Sequence, residues 1–142
     1  MSTIYRILTK DEFPQALEIR IRVFVEEQNV PIGEEQDRYD QTAVHFGAFA
    51  QDTMIGTGRV VIEGKKGKCG RIAVLKSHRG QGIGMGLLQT MIEWCRAQGL
   101  TEVYLGAQLH AIPFYEKAGF TAEGGVFDDA GIPHRLMRKQ LK

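Results

Sequence analysis

Cysteine is scarce in these 142 residues, occurring only as Cys69 and Cys95. Two thiols cannot build the disulfide framework on which small secreted domains depend, and their placement matches no metal-ligand spacing. Free thiols in a reducing cytoplasm and the absence of a metal are the expectation. An excess of one charge is lacking as well. Eighteen basic residues face seventeen acidic ones, for a formal net charge of +1, so no global field draws nucleic acid and any bound anion needs local charge. No apolar run approaches the roughly 20 residues of a membrane span, and the first residues show no basic flank ahead of an apolar segment. These absences predict a cytoplasmic protein with neither membrane nor nucleic acid as partner. Repeats, linkers and low-complexity stretches are also missing, and a chain of this length suits one domain, 1–142, that buries roughly two thirds of its unfolded surface.

Glycine, by contrast, is concentrated. Gly80, Gly82, Gly84 and Gly86 fall within seven positions, between an apolar stretch ending at Leu75 and a helical pattern carrying Leu87, Leu88, Met91 and Cys95. A helix start leaves four backbone amides without partners, and residues lacking Cβ let an anion reach them. Preceded by Lys76, Ser77, His78 and Arg79, the turn reads as a phosphate cradle. Two common cradles fail on spacing. No lysine follows these glycines where Gly-x-x-x-x-Gly-Lys-Ser/Thr needs one, and Gly-x-Gly-x-x-Gly ends on Met85 or Leu87 instead of glycine. What is present is Arg-x-x-Gly-x-Gly, at Arg79, Gly82 and Gly84. Charge-assisted hydrogen bonds contribute about 1.5–3 kcal/mol each, so two or three suffice to hold a diphosphate.

Around this turn, periodicity predicts a strand over 4–8, then Thr9 and Glu12 at capping-box spacing. A helix follows with Phe13, Leu17, Ile21 and Phe24 as its apolar stripe, and Glu18, Arg20 and Arg22 on other faces. Residues 29–41 lose periodicity and carry Pro31, Gly33, Glu34, Glu35, Asp37 and Asp40, which reads as an acidic loop. Strands over 43–50 and 54–62 have hairpin spacing. A strand over 69–75 leads into the glycine turn, whose helix ends near Gln98 with Gly99 as its cap. A strand over 102–107, a short helix over 111–118, and strands over 120–127 and 134–141 complete an α/β order with a mixed sheet.

The motifs resemble those of the GNAT superfamily of acyl-CoA-dependent N-acyltransferases. Arg79, Gly82 and Gly84 match its pyrophosphate turn. Phe114, Tyr115, Glu116, Lys117, Ala118, Gly119 and Phe120 look like its segment after the fifth strand, at the expected separation. Arg22, Val23, Phe24, Val25, Glu26, Glu27 and Gln28, then Pro31, Glu34 and Asp37, with Gly131, Ile132, Pro133 and His134, resemble a small bacterial subgroup described as ElaA-like or YjcF-like. The resemblance spans nearly the whole chain. It implies a single GNAT-like α/β domain, with a mixed, mostly antiparallel sheet of about seven strands flanked by helices, and fourth and fifth strands splayed around a pantetheine arm.

Acetyl-CoA is the implied acyl donor. Its pyrophosphate would lie on Arg79, Gly80, Gln81, Gly82, Ile83 and Gly84, and its pantetheine along the backbone of Ile72, Ala73 and Val74. Gln108 stands near where the family usually places a cofactor-contacting Asn. Tyr115 corresponds to the general acid for the departing thiolate, a suitable donor because a phenol of pKa near 10 is protonated at neutral pH. An alkyl amine acceptor must first lose a proton. Where many relatives offer a carboxylate on the fourth strand, this chain has Cys69, Gly70 and Arg71. Candidate bases are therefore Glu26, Glu27, His45 and His134, with Glu26 and His134 foremost; histidine titrates in the useful range without any shift. The acidic loop suits a cationic small-molecule or peptide amine, Arg59 and Arg71 an acidic one, and an exposed last strand leaves room for a homodimer. The expected reaction is direct acetyl transfer within a ternary complex. The alternative is a non-catalytic acyl-CoA-binding or sensor module of the same fold.

Overall fold

The computed structural model describes residues 3–30 and 37–141. Pro31, Gly33, Glu34 and Glu35 of the expected acidic loop lie outside the described residues. Strand β1 (Ile4–Ile7) runs into a 3₁₀ turn, where the Glu12 carboxylate accepts from the Thr9 amide at 2.8 Å, as the capping spacing predicts. Helix α1 (Phe13–Arg20) carries Pro14 in its first turn, where a missing N–H leaves no bond unmade. Over Ile21–Glu27 the winding widens into a π-helical segment. The buried stripe is not the expected one: Ala16, Ile19, Arg20 and Val23 are buried, while Phe13, Leu17, Ile21 and Phe24 are half-buried. Arg20 goes inside because its guanidinium meets the Asp40 carboxylate at 2.8 and 3.1 Å, and a paired charge tolerates burial that a lone one does not.

Strands β2 (Val44–Ala50) and β3 (Thr53–Glu63) form the expected hairpin, with Gln51 and Asp52 both at positive φ in its two-residue tip. β4 (Lys66–Val74) returns antiparallel and bulges, spending Arg71 and Ile72 where β3 spends one residue; Arg71 takes φ +50° there. After a 3₁₀ turn come α2 (Ile83–Ala97), β5 (Glu102–Gln108), α3 (Ile112–Lys117), β6 (Thr121–Asp129) and β7 (Ile132–Gln140). Gly99 and Gly119 follow the two helices at φ +80° and +96°, where a left-handed residue ends a helix.

The seven strands make one mixed sheet in the order β1-β2-β3-β4-β5-β7-β6, antiparallel throughout except between β4 and β5. That parallel contact is brief. Lys66, Gly67 and Lys68 pair with Glu102, Val103 and Tyr104, after which the two strands splay apart.

One face is sealed by α2, whose Leu87, Leu88, Met91 and Cys95 bury against Phe46, Ile55, Val60, Val103, Leu105 and Met137. Each fully buried aliphatic side chain contributes about 1.5–3 kcal/mol. On the other face α1 packs over β3 and β4, enclosing Leu8, Ala16, Ile19, Val23, Phe49, Met54 and Ala73. Beyond that cover, alternate residues of β5 and β7 become a cavity wall. No helix among the described residues is long and apolar enough to cross a membrane.

Candidate functional site

The glycine turn begins where β4 ends. Gly80 and Gly82 have φ +81° and +78° with open space around them, so these two positions need glycine for backbone reasons. Gly86 serves packing, since a Cβ there would overlap the Tyr5 ring, whereas one on Gly84 would meet Phe114 and Val74 at ordinary contact distance. The first amide to close a helical bond is that of Gly86, onto the Gly82 carbonyl at 3.0 Å. The preceding amides of the turn therefore point out of the helix end. Ile83 sends its side chain into the core at 3% exposure, leaving its backbone for the turn, while Gln81 is exposed.

Arg79 is already engaged. Its Nε donates to the Val74 carbonyl at 3.0 Å, and its Nη1 lies 2.7 Å from Glu27 Oε1. That guanidinium holds the Glu27 carboxyl below its ordinary pKa. Above the β4–β5 contact, β4 is paired with β3 on one side and, among the described residues, with no strand on the other. Ile72 lines the opening, Ala73 is buried under α1, and Val74 is half-buried. An extended chain of amides can therefore add along the free edge of β4.

A cavity of about 550 Å³ opens between the splayed strands, walled by Cys69, Gly70, Arg71 and Ile72 of β4 and by Tyr104, Leu105, Gly106 and Gln108 of β5. Tyr115 of α3 reaches it. The ring stands edge-on to Phe114 and Phe120, with centroids 5.1 and 6.0 Å away. Burial pushes its hydroxyl up to about 12, so the phenol keeps its proton across the neutral range and gives it only to a strong base. His134, 8% exposed, also lines the cavity and stacks on Phe127. Its Nδ1 lies 2.7 Å from the Ile132 carbonyl. A carbonyl only accepts, so Nδ1 carries the hydrogen and Nε2 is left as the basic nitrogen. Gln108 donates from Nε2 to Gln28 Oε1 at 3.1 Å, across the cavity wall.

The other candidate bases stand elsewhere. Glu26 borders a shallow groove on the outer side of α1, with Pro14, Leu17, Glu18, Ile21 and Arg22, and is not brought to the cavity. Residues two apart on a helix face opposite sides, so Glu26 is turned outward while Gln28 lines the cavity. His45 packs on Phe13, puts Nε2 2.9 Å from the Asp40 carbonyl, and has its pKa lowered by burial. Cys69 and Cys95 are buried. The Cys69 thiol, hydrogen-bonded to Cys95 and desolvated, is raised well above its usual pKa, which removes it as a neutral-pH nucleophile.

Sequence reasoning missed the ion network that forms the cavity floor. Arg59 donates to Asp37 at 2.7 and 2.9 Å and to Asp40 at 2.8 Å, while Arg71 reaches Asp37 at 3.1 Å. Asp40 also holds Arg20, which ties α1, the 3₁₀ turn Arg38–Gln41, β3 and the β4 bulge together. The bond from Arg59 brings Asp37 down to about 2. Burial raises Asp40, but its bonds to Arg20 and Arg59 outweigh this and leave it low. Tyr104 bonds the Glu63 carboxylate, and burial with that bond raises its pKa. The alternation of Arg59, Val61 and Glu63 on one strand face was the available signal; their partners across the chain carried none.

The acetyltransferase (GNAT) family model matches residues 3–120. The uncharacterized N-acetyltransferase YjcF of Bacillus subtilis is 39% identical over 132 residues, 92% of this chain and 94% of that relative. Protein ElaA of Escherichia coli is 31% identical over 131 residues, 88% of this chain and 85% of ElaA. Among solved structures, an acyl-CoA N-acyltransferase from Pseudomonas aeruginosa superposes with a TM-score of 0.88 at 30% identity, covering 97% of this chain and 99% of that one.

Proposed function

The chain belongs to the acetyltransferase (GNAT) family, and from that premise we propose a cytoplasmic, single-domain N-acetyltransferase that moves an acetyl group from acetyl-CoA to the amine of a small molecule or peptide. The observation that carries the proposal is the edge of β4 that no other strand among the described residues pairs, running from the bulge at Arg71 toward the glycine turn, with Tyr115 lining the adjoining cavity. The residues suit this donor. Amides along Ile72, Ala73 and Val74 can pair with a pantetheine arm, and Arg79 with the turn amides from Gly80 to Gly84 can take its diphosphate. Bound there, the donor supplies an activated thioester.

The chain's own residues do the rest. The floor network fixes the bulge through Arg71. His134 Nε2 takes the proton that the acceptor amine must lose, and the buried Tyr115 hydroxyl returns one to the departing sulfur. Gln108 closes the cavity wall toward Gln28. The relative from Pseudomonas aeruginosa, described as an acyl-CoA N-acyltransferase, supports the choice of donor. The experiment is thiol release from acetyl-CoA over a panel of polyamines, amino acids, arylalkylamines and lysine peptides, with and without the protein. Amine-dependent release is expected. Tight coenzyme A binding with no release for any amine would instead establish a binding module.

A further inference from the structure

Two consecutive residues at the end of the π-helical segment reach different parts of the site. Glu27 Oε1 meets Arg79 Nη1 at 2.7 Å beside the glycine turn, and Gln28 Oε1 accepts from Gln108 Nε2 at 3.1 Å on the cavity wall. One peptide bond joins them. We propose that Glu27 is an internal anion holding the diphosphate's place on Arg79, and that its displacement by a diphosphate releases the Gln28–Gln108 latch across the acceptor cavity. The inference rests on the reading of the glycine turn as the diphosphate site.

The exchange is feasible on three counts. The Arg79 and Glu27 side chains are 40% and 36% exposed, and exposed ion pairs of this kind bias an equilibrium by no more than roughly fivefold. A diphosphate brings several charge-assisted bonds, each worth roughly tenfold or more. Second, the guanidinium is fixed independently, since Nε stays on the Val74 carbonyl. Only the anion facing Nη1 changes. Third, the last residues of the strap are exposed: Phe24 packs against the core under α1, but Glu26, Glu27 and Gln28 do not. After Val23 no side chain of Ile21–Glu27 is fully buried, the winding is π-helical, and Asn29 takes φ +60° just beyond it. Moving Glu27 therefore costs little apolar burial and carries Gln28 with it. Because Gln28 and Gln108 both line the cavity, parting them opens the wall between the segment and β5.

Calorimetric titration of the wild-type protein and Glu27→Gln tests the first half, with coenzyme A and with pantetheine, which has the arm and no phosphate. Glu27→Gln is expected to bind coenzyme A roughly twofold to fivefold more tightly and pantetheine equally well. Equal or weaker coenzyme A binding by Glu27→Gln, with wild-type binding intact, overturns the inference and leaves the diphosphate site standing; it would make Glu27 an orienting partner of Arg79. If coenzyme A binds neither protein, the site and the inference fall together. The latch is read by NMR as solvent exchange of the Gln108 side-chain amide on adding inorganic pyrophosphate, which cannot itself reach along the arm. Faster exchange is expected. Unchanged exchange overturns the latch.

Discussion

Tyr5 lies so close to α2 that Gly86 has no room for a methyl group, and this separates two uses of glycine that look identical in sequence. Gly86→Ala must push the half-buried ring aside, an overpacking cost of about 1–3 kcal/mol, of which alanine's better helix propensity returns up to about 1 kcal/mol. Urea denaturation should show that loss. Coenzyme A affinity of the folded fraction should stay near wild type, because the amides of Gly80 to Gly84 are untouched. At Tyr115 the hydroxyl alone is in question. Tyr115→Phe keeps the ring packed on Phe114 and Phe120 and should lower turnover by roughly 10²- to 10⁴-fold without weakening coenzyme A binding. With the phenol pushed up to about 12, the wild-type rate should show no alkaline loss attributable to its ionisation below about pH 10. A pH–rate profile of both proteins checks this.

Strands and turns were legible because period-2 alternation and residues such as Gly99 and Gly119 act locally. But β4, expected from residue 69, begins at Lys66, and β7, expected from 134, begins at Ile132, because pairing with neighbouring strands extends them over polar residues and a proline that carry no strand pattern. The first helix was misread by one residue of rotation. Its buried stripe includes Arg20, and only the folded chain brings Asp40 within reach. For the same reason Asp37 and Asp40, which look like loop acids, turn out to bind the elements together. Among the described residues they touch Arg20, Arg59 and Arg71. Asp40→Ala removes the carboxylate that meets Arg20, 1% exposed, and one of the two that meet Arg59, 7% exposed, which should cost about 1–3 kcal/mol. The pH dependence follows from the same pair. Both carboxylates are depressed, Asp37 to about 2, so their stabilisation is complete above the ordinary aspartate range and declines as pH falls from about 4 toward 2. Denaturation midpoints across that window should fall for the wild-type protein and change less for Asp37→Asn. His134 of β7 and Tyr115 of α3 line one cavity, and that sharing needs the folded chain, whereas the contiguous motif around Tyr115 was readable.

For the molecule as a whole, ligand and fold are linked. At one hundred times its dissociation constant a ligand stabilises the native state by about 2.7 kcal/mol. For a chain of this length that corresponds to about 9 °C in melting temperature. Saturating acetyl-CoA should produce such a shift, measured by differential scanning fluorimetry, and Arg79→Gln should reduce it. No shift would remove the donor from the proposal.

The three-pair contact between β4 and β5 also divides the architecture. Four strands and α2 lie before Gly99, and the three-stranded remainder lies after it, so backbone bonding across the sheet is a short seam while side-chain burial across it is extensive: Val103, Leu105 and Met137 rest on α2. Severing the chain at the exposed Gly99 turn would leave two pieces that lack few hydrogen bonds but share one core. Co-expressed, such pieces are expected to reassemble by docking of that shared apolar face.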